Sequence, residues 1–138
     1  MFRLVFQHPY LGREFDWIAA DKFGRLGYFS TAGAGPIPQK LHHEVELGDI
    51  FETIIALDVN CSVVVAGQHE GSMGDWIEVA KRGIFAFDWD LKDSRYSLVA
   101  KPNKCLFVSD LNLNLRSKVS KIILDADFRD EHLGAGLW

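Results

Sequence analysis

The amino-acid sequence predicts an α+β fold: a mainly antiparallel sheet built from two hairpins plus further strands, with one to three helices packed on one face. Three observations lead there. Two stretches alternate in the period-two manner of strands, each around a turn-forming segment. Elsewhere apolar residues recur at three- and four-residue steps, the helical signature. Strands and helices do not alternate strictly, which argues against a βαβ architecture. The chain has 138 residues, so residues 1–138 read as a single domain. A chain of this length buries about two-thirds of its unfolded surface and needs no disulfide or metal to fold.

The first hairpin spans Phe15 to Thr31. Phe15, Trp17 and Ala19 alternate with Asp16, Ile18 and Ala20, and Leu26, Tyr28 and Ser30 alternate with Gly27, Phe29 and Thr31. Asp21-Lys22-Phe23-Gly24 supplies the turn, since Gly24 tolerates positive φ. The alternation predicts half-buried strands. Ala32-Gly33-Ala34-Gly35-Pro36-Ile37-Pro38 holds too many glycines and prolines to continue a strand and predicts a shaped loop.

From Gln39 to Asp58 the apolar spacing predicts helix, either one bent helix or two. Asp49 followed by Glu52 fits a capping box that starts the second. Cys61–Ala66 is a short apolar run expected to be a strand, and Gln68–Gly74 a loop. Asp75–Arg82 predicts a short helix with Trp76, Val79 and Ala80 on one face and Gly83 as its stop. The second hairpin joins Ile84–Asp90 to Tyr96–Ala100 through Leu91-Lys92-Asp93-Ser94 and is closed by Pro102-Asn103. Lys104–Val108 and Val119–Leu124 are expected strands. Leu111–Ser117 is ambiguous: Leu111, Leu113 and Leu115 alternate, while Ser109-Asp110 suits a helix cap. The tail from Asp125 to Trp138 reads as loose, with Leu137 and Trp138 tucking back.

Composition narrows the function. Fifteen Lys and Arg against nineteen Asp and Glu give a net charge of -4, which argues against a nucleic-acid binder. Ten Phe and four Trp in a chain 48% hydrophobic exclude a disordered protein. No apolar run approaches the roughly 20 residues that span a bilayer, so no membrane partner is expected. The N-terminus lacks the features of a signal peptide. Two cysteines, Cys61 and Cys105, are too few for a disulfide framework and read as buried thiols. The expected compartment is the cytoplasm.

Sites that carry chemistry are sparse. Gly33 and Gly35 give a Gly-x-Gly spacing without the rest of a dinucleotide fingerprint or P-loop. His42 and His43 are adjacent, so on a helix they point about 100° apart, and His8, His69 and His132 are scattered. A metal site needs three or four convergent ligands, so neither metal nor cofactor is expected. There is no Gly-x-Ser-x-Gly elbow, and Cys61 adjoins a Val-rich run that suppresses thiolate formation. No catalytic residue is assigned. An alternative to a pure interaction protein is a small ligand-binding or hydrolytic domain, with Asp16, Gly33, Gly35, His42 and His43 around one pocket near the Gly33–Pro38 loop.

Carboxylates are the more suggestive group. Asp88 and Asp90 share one face of a strand with Trp89 on the other. With Asp93 they form an acidic hairpin end, and Asp125, Asp127, Asp130 and Glu131 form a second cluster. Residues 61–138 hold eleven of the nineteen carboxylates. Such patches steer basic partners, so Asp88, Trp89, Asp90 and Asp93 are the candidate partner surface. Most aromatics, including Phe15, Trp17, Tyr28, Trp76, Phe85 and Phe87, are assigned to the core by their placement on strand and helix faces.

Two blocks carry a family resemblance. Phe15-Asp16-Trp17-Ile18-Ala19-Ala20-Asp21, Gly24, Gly27-Tyr28-Phe29-Ser30-Thr31-Ala32-Gly33 and Gly35-Pro36 form the first. Ala80-Lys81-Arg82-Gly83-Ile84-Phe85-Ala86-Phe87-Asp88, then Tyr96 and Pro102, form the second. Together they resemble small bacterial proteins grouped with polymorphic-toxin immunity proteins. The resemblance implies a cytoplasmic, non-enzymatic protein that binds a cognate toxin and blocks it. It carries over no catalytic residue. A basic toxin, such as a nuclease, suits the acidic clusters.

Overall fold

A computed structural model describes residues 3–43, 50–66, 74–119, 121–133 and 137. Its centre is a five-stranded sheet. β2 (Asp16–Ala20) and β3 (Leu26–Ser30) form the first hairpin, with Asp16 opposite Ser30 and Ala20 opposite Leu26. β6 (Phe85–Asp90) and β7 (Arg95–Pro102) form the second. β5 (Val63–Val65) adds antiparallel to β7, and the order is β2-β3-β6-β7-β5. The hairpins join through one parallel pair, β3 with β6, in which Ser30 lies beside Asp88. A two-stranded ribbon, β1 (Leu4–Val5) with β4 (Ile37–Pro38), stands apart from this sheet.

The expected α+β class and the mostly antiparallel sheet are both present. Helices α1 (Ile50–Ile55), α2 (Gly74–Lys81) and α3 (Leu113–Val119) send Ile50, Ile54, Val79, Ala80, Leu115 and Val119 into one apolar cluster with Ile18, Ala20, Leu26 and Tyr28 of the sheet. The opposite face is covered as well. Trp17, Phe29, Phe85, Phe87 and Trp89 pack there with Leu4, Ile37, Ile122, Leu124, Phe128 and Leu137. The four hairpin strands are therefore largely buried on both sides rather than half-buried, because the ribbon and the C-terminal segment form a third layer. Trp17 stacks on Phe29 with ring centroids 4.2 Å apart, and Phe29 on Phe87 at 5.0 Å. Such stacked pairs each contribute about 1 kcal/mol beyond area burial.

Several elements differ from expectation for identifiable reasons. In the region 39–58 the described residues form a 3-10 turn at Gln39–His43 and α1; the Asp49 cap lies outside the described residues. Leu111–Ser117 resolves in favour of helix. Leu111, Leu115 and Val119, four apart, are buried while Leu113 is 79% exposed, and Asn112 Oδ1 caps α3 by accepting the Leu115 N–H at 2.9 Å. Lys104–Val108 is no strand: it makes one bridge, Phe107 with Arg25, before a 3-10 turn at Val108–Asp110. Val119–Leu124 also makes a single bridge, Ile123 with Ala20. Its other residues finish α3 or turn Ile122 and Leu124 into the far layer.

Two features fix the ends of α1 and α2. Gly83 ends α2 at φ 99°, and a Cβ there would meet the Leu106 backbone nitrogen at 2.7 Å, so only glycine fits. Buried Arg82 donates to the carbonyls of Ile55 (3.0 Å), Leu57 (3.3 Å) and Glu78 (2.9 Å), collecting the carbonyl ends of two helices with one cation. No helix among the described residues is long and apolar enough to cross a membrane.

Candidate functional site

The parallel β3–β6 pairing builds a cleft that neither hairpin holds alone. Asp16 opens β2, Ser30 closes β3 beside it, and Asp88 sits next to Ser30 on β6. Three neighbouring strands thus bring two carboxylates and a hydroxyl to one level, with the Asp16 and Asp88 backbones about 10 Å apart at ordinary strand spacing. Tyr28 shares the face of Ser30 two residues along β3, and Glu14 and Ala32, just beyond the strand ends, complete the wall. The first turn of α2 places Asp75 and Trp76 over this edge. These eight residues line a cleft of about 340 Å³.

Its groups are tied to one another. The Tyr28 hydroxyl donates to Asp16 Oδ2, and the Trp76 indole N–H donates to Ser30 Oγ at 3.1 Å, pinning α2 to the sheet. Burial raises the Asp16 pKa above the usual carboxylate range, the Tyr28 and Ser30 hydrogen bonds oppose this, and the charges of Glu14 and Asp75 add to it. Burial likewise pushes Tyr28 up, reinforced by the charge of Asp16. Tyr28 therefore stays protonated and serves as a donor to Asp16. Glu14 and Asp75 are exposed at the rim and Asp88 is half-buried. None of the lining residues is Lys, Arg or His. Ser30 consequently has no imidazole beside it among them, so the cleft holds no triad of the Ser-His-carboxylate kind. It presents hydrogen-bond acceptors and negative charge, the complement of a guanidinium or ammonium group.

The residues singled out from sequence fall into three places. Asp88 and Asp16, assigned there to different sites, meet in this cleft. Asp90 accepts the N–H groups of Lys92 (2.9 Å) and Asp93 (3.2 Å), holding the β6–β7 turn, and these bonds keep its pKa below the usual range. Asp93 is exposed and pairs with Arg95 at 3.3 Å. Trp89 points to the other face of β6, is only 5% exposed, and packs edge-on against Tyr96 at 5.0 Å. A partner reaching Asp88 does not touch it.

Gly33, Gly35 and His42 do not line the cleft. Their loop is organised inward around buried Thr31. Its carbonyl accepts the N–H of Ala34 (3.0 Å) and Gly35 (2.8 Å), and its Oγ1 accepts those of Gly33 (3.3 Å) and Phe15 (3.2 Å). The loop donors that would cradle a phosphate are used up in the turn. Gly35 is needed for packing, since a Cβ would lie 2.6 Å from the Tyr96 hydroxyl. The His42 ring lies 6.1 Å from that of His8, whose Nε2 donates to the Gly35 carbonyl at 2.8 Å. The His43 side chain is outside the described residues. Among those described, no three His, Cys, Asp or Glu side chains are grouped to hold a metal ion.

The second carboxylate cluster behaves differently. Asp125, Asp127 and Asp130 line a cleft of about 230 Å³ together with Lys22. Asp127 is contacted by Arg129 at 2.7 Å and by Arg25 at 3.8 Å, and its pKa is lowered to about 2, the Arg129 hydrogen bonds acting most strongly.

Glu14, Tyr28, Asp75 and Trp76 were missed as site residues. Alternation alone does not set the register that puts Tyr28 and Ser30 on the face of Asp16, and only the parallel β3–β6 pairing brings Asp88 to them. No family model, curated protein or solved structure matches the chain.

Proposed function

We propose that this is a non-enzymatic interaction protein whose acidic cleft receives a cationic side chain from a basic protein partner. The resemblance to polymorphic-toxin immunity proteins makes that partner a cognate bacterial toxin, neutralised by binding in the cytoplasm. One observation carries the reading: four carboxylates, Glu14, Asp16, Asp75 and Asp88, line one cleft, and none of its described lining residues is Lys, Arg or His. Half-buried Trp76 adds aromatic surface suited to stacking a guanidinium. The inward bonding of the Gly33–Gly35 loop speaks against the alternative of a phosphate- or substrate-binding pocket there.

Affinity capture from the native host tests the reading. Wild-type protein is expected to retain a basic protein that elutes with salt. A Glu14→Gln, Asp75→Asn, Asp88→Asn variant is expected to lose it, and co-expression of the captured protein with wild type, but not with this variant, is expected to restore growth. Equal capture by both proteins would overturn the placement.

A further inference from the structure

The two edges of the central sheet are treated differently. At the β2 edge, Ala20 donates to the Ile122 carbonyl and accepts from the Leu124 N–H, both at 2.9 Å, so the C-terminal segment covers that edge. At the other edge lies β5, which pairs only with β7 among the described residues. The ladder shows which β5 groups face outward. Ser62 accepts from Asn103 and Ala66 donates to Val99, so residues 62, 64 and 66 turn their backbone toward β7. Val63 stands opposite Pro102, which has no N–H to offer. The N–H and C=O groups of Val63 and Val65 therefore point away from the sheet.

Exposed edges are usually blunted with Lys, Pro, a bulge or a covering segment. Val59-Asn60-Cys61-Ser62-Val63-Val64-Val65-Ala66 contains no charge and no proline, and no bulge interrupts its pairing with β7. Val64 is 48% exposed and Val65 43%. We propose that β5 is a self-association edge, at which a second copy of this chain adds its own β5 antiparallel across a two-fold axis at Val64. Val63 then pairs with Val65 of the second copy, and Val65 with its Val63. The four outward N–H and C=O pairs close into four hydrogen bonds.

The charge pattern selects this occupant. A neutral β-branched strand offers nothing to a basic partner, and it meets its own copy without like-charge repulsion. The nearest charged side chain on the adjoining strand is Lys101, opposite Val64. Three strand spacings separate the two copies of β7, about 14 Å, beyond the roughly 8 Å screening length at physiological salt. So short a contact buries far less than the ~1,200 Å² of a stable interface, which makes the dimer weak and concentration-dependent. No cleft-lining residue comes from β5 or β7, so each copy keeps its acidic cleft open.

The register is testable by disulfide formation in a Cys61→Ser, Cys105→Ser background. Val64 faces its own copy as a non-hydrogen-bonded pair with Cα atoms about 4.5 Å apart, inside the range a disulfide spans. Val65, equally exposed, lies about 9 Å from Val65 of the second copy, outside that range. Val64→Cys is expected to form a covalent dimer at least tenfold faster than Val65→Cys. Equal rates, or no dimer from Val64→Cys, overturn the proposal. Sedimentation keeps the test open should the serine background fail to fold. Wild type is expected to show reversible dimer as concentration rises toward the millimolar range. Val65→Pro, which removes an outward N–H and leaves the β7 ladder intact, is expected to stay monomeric. A wild type monomeric throughout, or a dimer that survives Val65→Pro, contradicts it.

Discussion

At one end of the sheet, Glu14, Asp16, Asp75 and Asp88 line a cleft with no cationic side chain among its walls. After α3, Asp127 is gripped by Arg129 and Arg25, and Lys22 joins the same depression. As sequence, the two clusters look alike. As structure, the second is a joint, while the described lining of the first holds no Lys, Arg or His. The difference teaches that acidic density says little until the fold shows which arginines return to it.

The joint centres on Asp21, which is buried. Its Oδ1 accepts the N–H groups of Phe23 (2.9 Å) and Arg25 (2.8 Å), and its Oδ2 accepts that of Phe128 (3.0 Å). One carboxylate thereby shapes the first turn and fastens the C-terminal segment to it. Asp21→Ala leaves three N–H groups without that acceptor, and we expect a loss of about 3 kcal/mol or more in urea unfolding. A loss below about 1 kcal/mol would show that the joint is held by something else.

Smaller effects sharpen the contrast. Trp76→Phe removes the indole donor to Ser30 and should cost about 1 kcal/mol, with hydrogen exchange in α2 rising first. Arg129→Ala breaks a pair whose arginine is 60% exposed, so the expected loss is under about 1 kcal/mol and shrinks further in high salt.

The two clusters should also respond to pH with opposite signs. Asp127 titrates near 2 in the folded chain against about 4 unfolded. Its contribution is present above pH 4 and fades as pH falls toward 2. Asp16 is shifted upward, chiefly by burial. Its contribution is full below about pH 4 and fades as pH rises through its folded pKa. Asp127→Asn should therefore flatten the acid limb of a stability–pH curve, whereas Asp16→Asn should flatten a fall that lies above about pH 4. The same limb changing in both variants would mean that the two sites are not distinct in this way.

Much of this was legible in the amino-acid order. Alternation from Phe15 to Thr31 and from Ile84 to Ala100 marked both hairpins, and Gly83 marked the end of α2, because these signals are local. Local signals failed where tertiary packing decided. Leu111, Leu113 and Leu115 alternate like a strand, yet the layer beneath selects the four-residue spacing of Leu111, Leu115 and Val119. Ile122 and Leu124 look strand-like because they are buried, but one bridge to Ala20 is all they make. The cleft is half visible: Asp16 and Asp88 each stand out as strand carboxylates, whereas Tyr28 reads only as a core aromatic. Their meeting depends on a parallel pairing between strands more than fifty residues apart, for which no local pattern exists. Trp89 was misplaced on a partner surface for the reverse reason, since neighbouring aspartates at 88 and 90 made a core position look solvated.

The central claim is that the first cleft, and not the second, receives a cationic side chain. Titration of the ¹⁵N-labelled protein with a short arginine-rich peptide tests it most directly, read at the Trp76 indole N–H and at the backbone signals of the two clusters. The account predicts salt-sensitive shifts at Trp76, Ser30 and Asp88, abolished by Glu14→Gln, Asp75→Asn and Asp88→Asn together, with residues 125–130 unmoved. Shifts centred on Asp125 to Asp130, or none at Trp76 at saturating peptide, would contradict it.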